Sequence, residues 1–167
     1  MKLFAGALTA ALILSAGAAS AQAPAAPAVG AANRPHYGQT ITSEQAEAVM
    51  AAARAEAKRR GVADTVAIAV VEPTGELIMF YRGTFAQYAA QEWVLGKART
   101  SARFQRPTSV LADLVNKGQL GPLAFPGATV AGAGGVPIMS GGRQIGAIGT
   151  TGGFDQEVAD AGAAAVK

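Results

Sequence analysis

Two stretches of the chain, TVAIAVVEPTGELIMFYRG (Thr65 to Gly83) and GGVPIMSGGRQIGAIGTTGG (Gly134 to Gly153), each set two short apolar runs on either side of a glycine-bearing turn. That pattern leaves little freedom of fold. Runs rich in β-branched and aromatic residues suit a pleated strand, and so short a connection can only return the chain antiparallel. The spacing predicts strands over 66–72 and 76–82 about Pro73-Thr74-Gly75, and over 136–140 and 144–150 about Gly141-Gly142. The Gly-Gly pair suits a two-residue turn that needs positive φ at both positions. A doubly wound parallel sheet, whose strands need long crossovers, is excluded.

The helices lie around these hairpins. TITSEQAEAVMAAARAEAKRRG predicts a helix over 43–60, with a Thr42/Gln45 capping box, Glu44 and Glu47 at the positive end of the dipole, and Lys58-Arg59-Arg60 at the negative end before Gly61. AQYAAQEWVLGKARTSARFQ predicts a second over 86–105, ended by Pro107. A short third runs through Val115, capped by Thr108 or Ser109, and a last covers 154–166 with Asp155 and Glu157 in its first turn. Between them, NKGQLGPLAFPGATVAGAGG is too rich in Gly and Pro for regular structure, and a loop of that length in a compact domain is often functional. The order describes an α/β chain of the α+β kind, an antiparallel sheet with packed helices, as one domain over 39–167.

Residues 1–21 have the form of a secretory signal: Lys2, the apolar LFAGALTAALILSAGAA and the small triplet Ala19-Ser20-Ala21. The mature chain is expected to begin at Gln22, in the periplasm or secreted, with no membrane insertion after cleavage. Residues 22–38, rich in Ala, Pro and Gly, read as a flexible leader or an arm that docks elsewhere. The absence of cysteine from all 167 residues excludes a lipoprotein anchor, thiolate metal sites and a cysteine nucleophile. A net charge of +3 with 6% aromatic residues is a poor case for nucleic acid.

Neither a Walker loop nor a dinucleotide fingerprint is present among the glycines. Gly152-Gly153 precedes a helix and could hold an anion; a tight strand-to-helix turn is the alternative. The only histidine, His36, lies in the leader, which removes a catalytic triad and a multi-histidine centre. Glu92, beside Trp93, is the acid to test for unusual chemistry, against a solvated or ion-paired role. Arg99, Arg103 and Arg106 recur at helical spacing with Lys97 nearby, a basic face able to receive carboxylates or propionates, or simply a solvated one. His36 is the candidate ligand for haem iron, and Met79, Met139, Tyr37, Tyr81 and Tyr88 carry the other suitable chemistries.

The segments ITSEQAEAVMAAARAEAKRRG, VAIAVVEPTGELIMFYR, GKARTSARFQRPT, LAFPGATVAGAGGVPIMSGGRQIGAIGTTGG and QEVADAGAAAV resemble, in order, the GlcG/HbpS family of small haem-binding-like proteins. The resemblance runs from about Tyr37 to the C-terminus. It implies an α-β-α sandwich of profilin- or PAS-like shape, homo-oligomers, and secreted members that bind haem or act as accessory redox sensors. Other members accompany glycolate or diol metabolism, with no activity established for this domain. One departure is visible: where relatives usually have G-V-S-G and then Q-D, this chain has Gly149-Thr150-Thr151-Gly152 and Gln156-Glu157. The expectation is an exported haem-binding protein whose pocket lies between the sheet and the second helix or at a subunit interface. Its candidate cofactor residues are His36, Tyr81, Lys97, Arg99 and Arg103, with His36 on the metal. A small-carboxylate binding or sensor domain using the same basic face is the alternative.

Overall fold

The first hairpin is β1 (Ala67–Val71) with β2 (Leu77–Arg82) and the second is β3 (Gly135–Ser140) with β4 (Arg143–Thr151). They join edge to edge through β1 and β4, so the sheet runs β2-β1-β4-β3 with every neighbour antiparallel. The computed structural model describes residues 40–129 and 132–166, all within one unit, His36–Lys167. The other unit, Met1–Pro35, lies outside the described residues, as do His36, Tyr37 and the rest of the leader. Gly141 and Gly142 have φ of 55° and 76°, the backbone that a tight two-residue hairpin demands.

The two faces of the sheet are built from different residues. Ile68 and Val70 of β1 and Ile148 of β4 point to one face, where α1 (Ser43–Arg59) and α4 (Asp155–Ala163) close the larger core with Val49, Ala53 and Val158. Ala67, Ala69 and Val71, beside Ala147 and Gly149, form the other. There α2 (Ala90–Phe104) lies on the strands, and α3 (Thr108–Asn116) packs against both α2 and β3. This is the α-β-α sandwich expected. Each branched side chain buried from water contributes roughly 1.5–3 kcal/mol, so the α1/α4 face carries more of the stability.

Small residues on the second face let α2 come very close. A Cβ at Gly149 would strike the Val94 carbonyl and come within 2.8 Å of the Ala98 nitrogen. The pocket expected between the sheet and the second helix is therefore filled by backbone. The local corrections have similarly concrete causes. The second helix starts at Ala90 rather than at 86, because 83–89 is spent on turns in which Ala86 N–H donates to Gly83 C=O and Ala90 N–H to Gln87 C=O. Neither Thr108 nor Ser109 caps α3: Pro107 is the N-cap, and Thr108 Oγ1 accepts instead from Gly135 N–H at 2.9 Å. The last helix ends at Ala163, short of 166. Among the described residues no helix is long and apolar enough to cross a membrane.

The first helix forms as its caps dictate. Thr42 Oγ1 accepts from Gln45 N–H at 3.2 Å and Gln45 Oε1 accepts from Thr42 N–H at 3.0 Å. At its other end Glu56 accepts from Arg59 and from Arg60, and Arg60 reaches Glu157 of α4 at 3.1 Å. Hydrogen bonds from Arg59 and then Arg60 hold the Glu56 carboxyl down to about 2.

Two outcomes follow from this geometry. A Cβ at Gly142 meets open space, so Gly142→Val tests the turn backbone alone; it should lower the urea midpoint by an amount equivalent to about 1–2 kcal/mol, with far-UV circular dichroism unchanged. Glu56 has its folded carboxyl depressed, so its stabilisation is complete above the ordinary carboxylate range and is lost as the pH falls toward 2. Urea midpoints measured at pH 6, 4 and 3 should fall less steeply for Glu56→Gln than for the unmodified chain.

Candidate functional site

The buried side of α2 is a stripe of Ala90, Val94, Lys97, Ala98, Ser101 and Ala102, small enough for the close approach to the sheet. Trp93 is one position off that stripe. Its ring cannot enter so shallow an interface, and it stays 45% exposed at the flank of the helix. Clefts open on either side of it. The larger, about 560 Å³, has Glu92 and Trp93 from α2, Ala112, Val115 and Asn116 from α3, and Leu123 and Thr129 from the following loop. The smaller, about 380 Å³, has Trp93 with Phe85, Gln87, Thr65 and Thr151.

The loop returns to α2 at a defined point. Thr129 N–H donates to Thr100 Oγ1 at 2.8 Å, and the Thr129 side chain sits where a Cβ on Gly96 would be, so only glycine admits it. The outer wall of the larger cleft is thereby set against the Trp93 flank. The lining mixes apolar Trp93, Ala112, Val115 and Leu123 with polar Glu92, Asn116 and Thr129, and small-molecule sites combine the same two kinds of group.

Of the described residues expected to form a site, Arg99 and Arg103 come together at Gly75, while Tyr81 and Lys97 lie elsewhere. Tyr81 lies on the α1 side of the sheet, its hydroxyl donating to Ala63 C=O at 3.3 Å and its ring 4.3 Å beneath the Arg54 guanidinium. Lys97 is not part of a solvated basic face: it is 3% exposed, and its ammonium donates to Thr150 C=O at 2.9 Å and to Asp155 Oδ2 at 2.8 Å. Arg99 Nε donates to Gly75 C=O at 3.0 Å in the first hairpin turn, and Arg103 is exposed beside the same glycine. Arg106 falls beyond the helix, which ends in the left-handed Gln105. Tyr88 and Met139 are well exposed, Met139 in a separate cleft with Arg143 and Gln105, and Met79 packs on the larger core. His36 and Tyr37 lie outside the described residues. Of the residues singled out from sequence, Glu92 lines the Trp93 cleft.

Gly152 and Gly153, with φ of 113° and 124°, make the tight strand-to-helix turn. The N-terminus of α4 is occupied by its own side chain, since Gly153 N–H donates to Asp155 Oδ1 at 3.0 Å. An anion there would face a carboxylate already in place. Among the described residues no group of three or more His, Cys, Asp or Glu side chains converges as a metal site would require.

Ala112, Val115, Asn116, Leu123 and Thr129 were not foreseen as site residues. Two signals pointed toward them: the acid beside the single tryptophan, and a loop too long to be mere connection. Neither could say that loop and tryptophan meet.

Comparison with known proteins agrees with the fold. Residues 41–167 match the HbpS-like family, described as haem degrading protein HbpS-like. Protein GlcG of Escherichia coli K12 is 35% identical over 115 residues, 66% of this chain and 81% of its own length. Among solved structures, a double glutamate-to-aspartate variant of Streptomyces reticuli HbpS superposes with a TM-score of 0.70 at 28% identity, over 86% of this chain and 99% of that one. Klebsiella pneumoniae protein ORFY gives 0.70 at 26% over 80% and 94%, and PduOC, solved as a complex with haem, 0.69 at 25% over 77% and 96%. A profile that matches the whole sandwich, from the residue before the Thr42 cap through α4, identifies the chain as a member of the HbpS-like family.

Proposed function

We propose that the protein binds haem, in the cleft beside Trp93. The observation that carries this reading is the lining itself: the Trp93 side chain with Ala112, Val115 and Leu123 in a cleft of about 560 Å³, within the size range of small-molecule sites. The haem complex of PduOC and the family description support the choice of ligand. These residues fit a macrocycle held by its faces, through stacking and burial of apolar area. Glu92 is the ionisable group of the lining, and its carboxylate would turn the propionate edge away from that wall.

Among the described residues the lining holds no histidine, methionine or tyrosine, so on this reading a neutral or phenolate iron ligand reaches the cleft from outside them. His36 is our candidate for that role. When bound, the group would supply iron redox chemistry, and the chain's own part would be to orient it and shield one face from water. Arg99 and Arg103 are set aside as propionate partners, since neither lines this cleft and Arg99 is engaged at Gly75.

The reading extends to an exported accessory or sensing protein, periplasmic or secreted, on the strength of residues 1–21. It also extends to self-association, which would cover some of the exposed Phe85, Tyr88, Leu120 and Phe125.

A haemin titration of the chain from Gln22 onward, followed by absorbance, tests the proposal. Saturation at a defined ratio is expected. Trp93→Ala should raise the Kd about tenfold or more, the equivalent of about 1.4 kcal/mol. His36→Ala should move the Soret band. Absorbance that climbs without saturating, or a Trp93→Ala protein that binds as tightly, would overturn the assignment to this cleft.

A further inference from the structure

The loop that walls the Trp93 cleft has a second apolar cleft behind it. Leu123 and Ala128 face the first; Pro122, Ala124 and Phe125 line the second, about 490 Å³, against Phe104 and Leu114. The segment thus presents apolar side chains in two directions, with α3 serving both clefts through Val115 on one side and Leu114 on the other.

This segment is lightly held. Its single 3₁₀ turn, Gly121–Ala124, packs against α3 and against no other helix or strand of the described residues. Among the described residues the backbone hydrogen bonds of 118–128 are local: Gly118 and Gln119 N–H return to Val115 and Leu114 C=O, Leu123 N–H to Leu120 C=O, and Ala128 N–H to Phe125 C=O. The first bond to another element is that of Thr129 with Thr100. A glycine with open space about it stands at the start of the segment, Gly118 at φ 81°, and another one residue before its end, Gly127 at φ 74°. A ring contact, Phe125 to Phe104 at 5.0 Å and 70°, ties the middle of the segment to the end of α2. Few long-range contacts, exposed side chains and local backbone bonds are the physical marks of a segment that moves at low cost.

We propose that residues 118–128 are a strap that swings between the two clefts, with the Phe104–Phe125 contact as the latch that keeps the Trp93 cleft open. In the closed position Leu123 is brought toward Trp93, so that a flat apolar ligand is held between them. Apolar faces on both sides let the strap bury side chains in either position, which makes two states of similar free energy possible. The identity of the ligand rests on the haem reading above; the motion of the strap does not.

Trp93 is the single tryptophan, so its fluorescence reports on the cleft without any label. In ligand-free protein, Phe104→Ala and Phe125→Ala should each lower the acrylamide quenching constant about twofold, and the double variant should add nothing to either. Phe104→Leu, which keeps most of the bulk and removes the ring edge, should move it the same way if Phe104→Ala fails to fold. Quenching that is unchanged or increased in folded variants would overturn the latch. With zinc protoporphyrin as probe, hydrogen exchange of the 118–128 amides should slow at least about tenfold on saturation. Saturable binding with exchange in 118–128 unaltered would sink the strap while the haem reading stood; absence of saturable binding with the quenching response intact would do the reverse.

Discussion

The close approach of α2 to β4 is the constraint on which the rest of this structure depends. Gly149 and Ala98 bring a helix backbone against a strand backbone, and every larger side chain of α2 must then go to the flanks or find a slot. Trp93 goes to the flank and becomes the centre of two clefts. Lys97 finds a slot, and its ammonium reaches the end of β4 and the start of α4. The same small-residue face leaves the branched residues Ile68, Val70 and Ile148 for the opposite side, so the sheet has one thick, stabilising core and one thin layer beside which a ligand cleft can open.

The Lys97–Asp155 pair shows how that layer is kept in register. Burial of an ammonium is costly unless it is fully partnered, and here a carboxylate and the Thr150 carbonyl partner it at 2.8 and 2.9 Å. Asp155 in turn accepts from Gly153, and Thr150 Oγ1 donates to the Asp155 carbonyl and to that of Gly134. Truncating either charge would strand the other, which makes the pair a strict specification of where α2, β4 and α4 meet. Its glycine neighbours are just as constrained: a Cβ at Gly134 would lie 2.7 Å from the Thr150 carbonyl.

The side of α2 away from its buried stripe borders the larger cleft. It carries an aromatic ring, an acid and a glycine that seats the incoming loop, while the arginines farther along the helix belong to the first hairpin turn or to solvent. A site composed of one rigid wall and one lightly held wall suits binding in which the loose element is ordered by the ligand. Membership of the HbpS-like family and a shared sandwich with HbpS and PduOC account for the fold on which this cleft is built.

The hairpins, the first helix with its Thr42/Gln45 box, and the Gly141-Gly142 turn were legible in the chain because each depends on neighbours within a few residues: alternation, capping and φ are local properties. The family was legible for the same reason, through contiguous glycine-rich segments. What local pattern could not carry was direction. Arg99, Arg103 and Arg106 share a helical spacing that, with Lys97 nearby, reads as one basic face, yet the sheet's small residues draw Lys97 inward to Asp155, 58 residues away, and the first hairpin turn takes Arg99. Tyr81, equally plausible by residue type, ends on the far side of the sheet. Sequence alone determined the strands, the turns and an antiparallel sandwich, since short-range sterics and hydrogen bonding decide those. Only the tertiary structure decided that the cleft lies outside α2 at Trp93 and not beneath it, because that depends on how closely two backbones can pack when the residues between them are glycine and alanine.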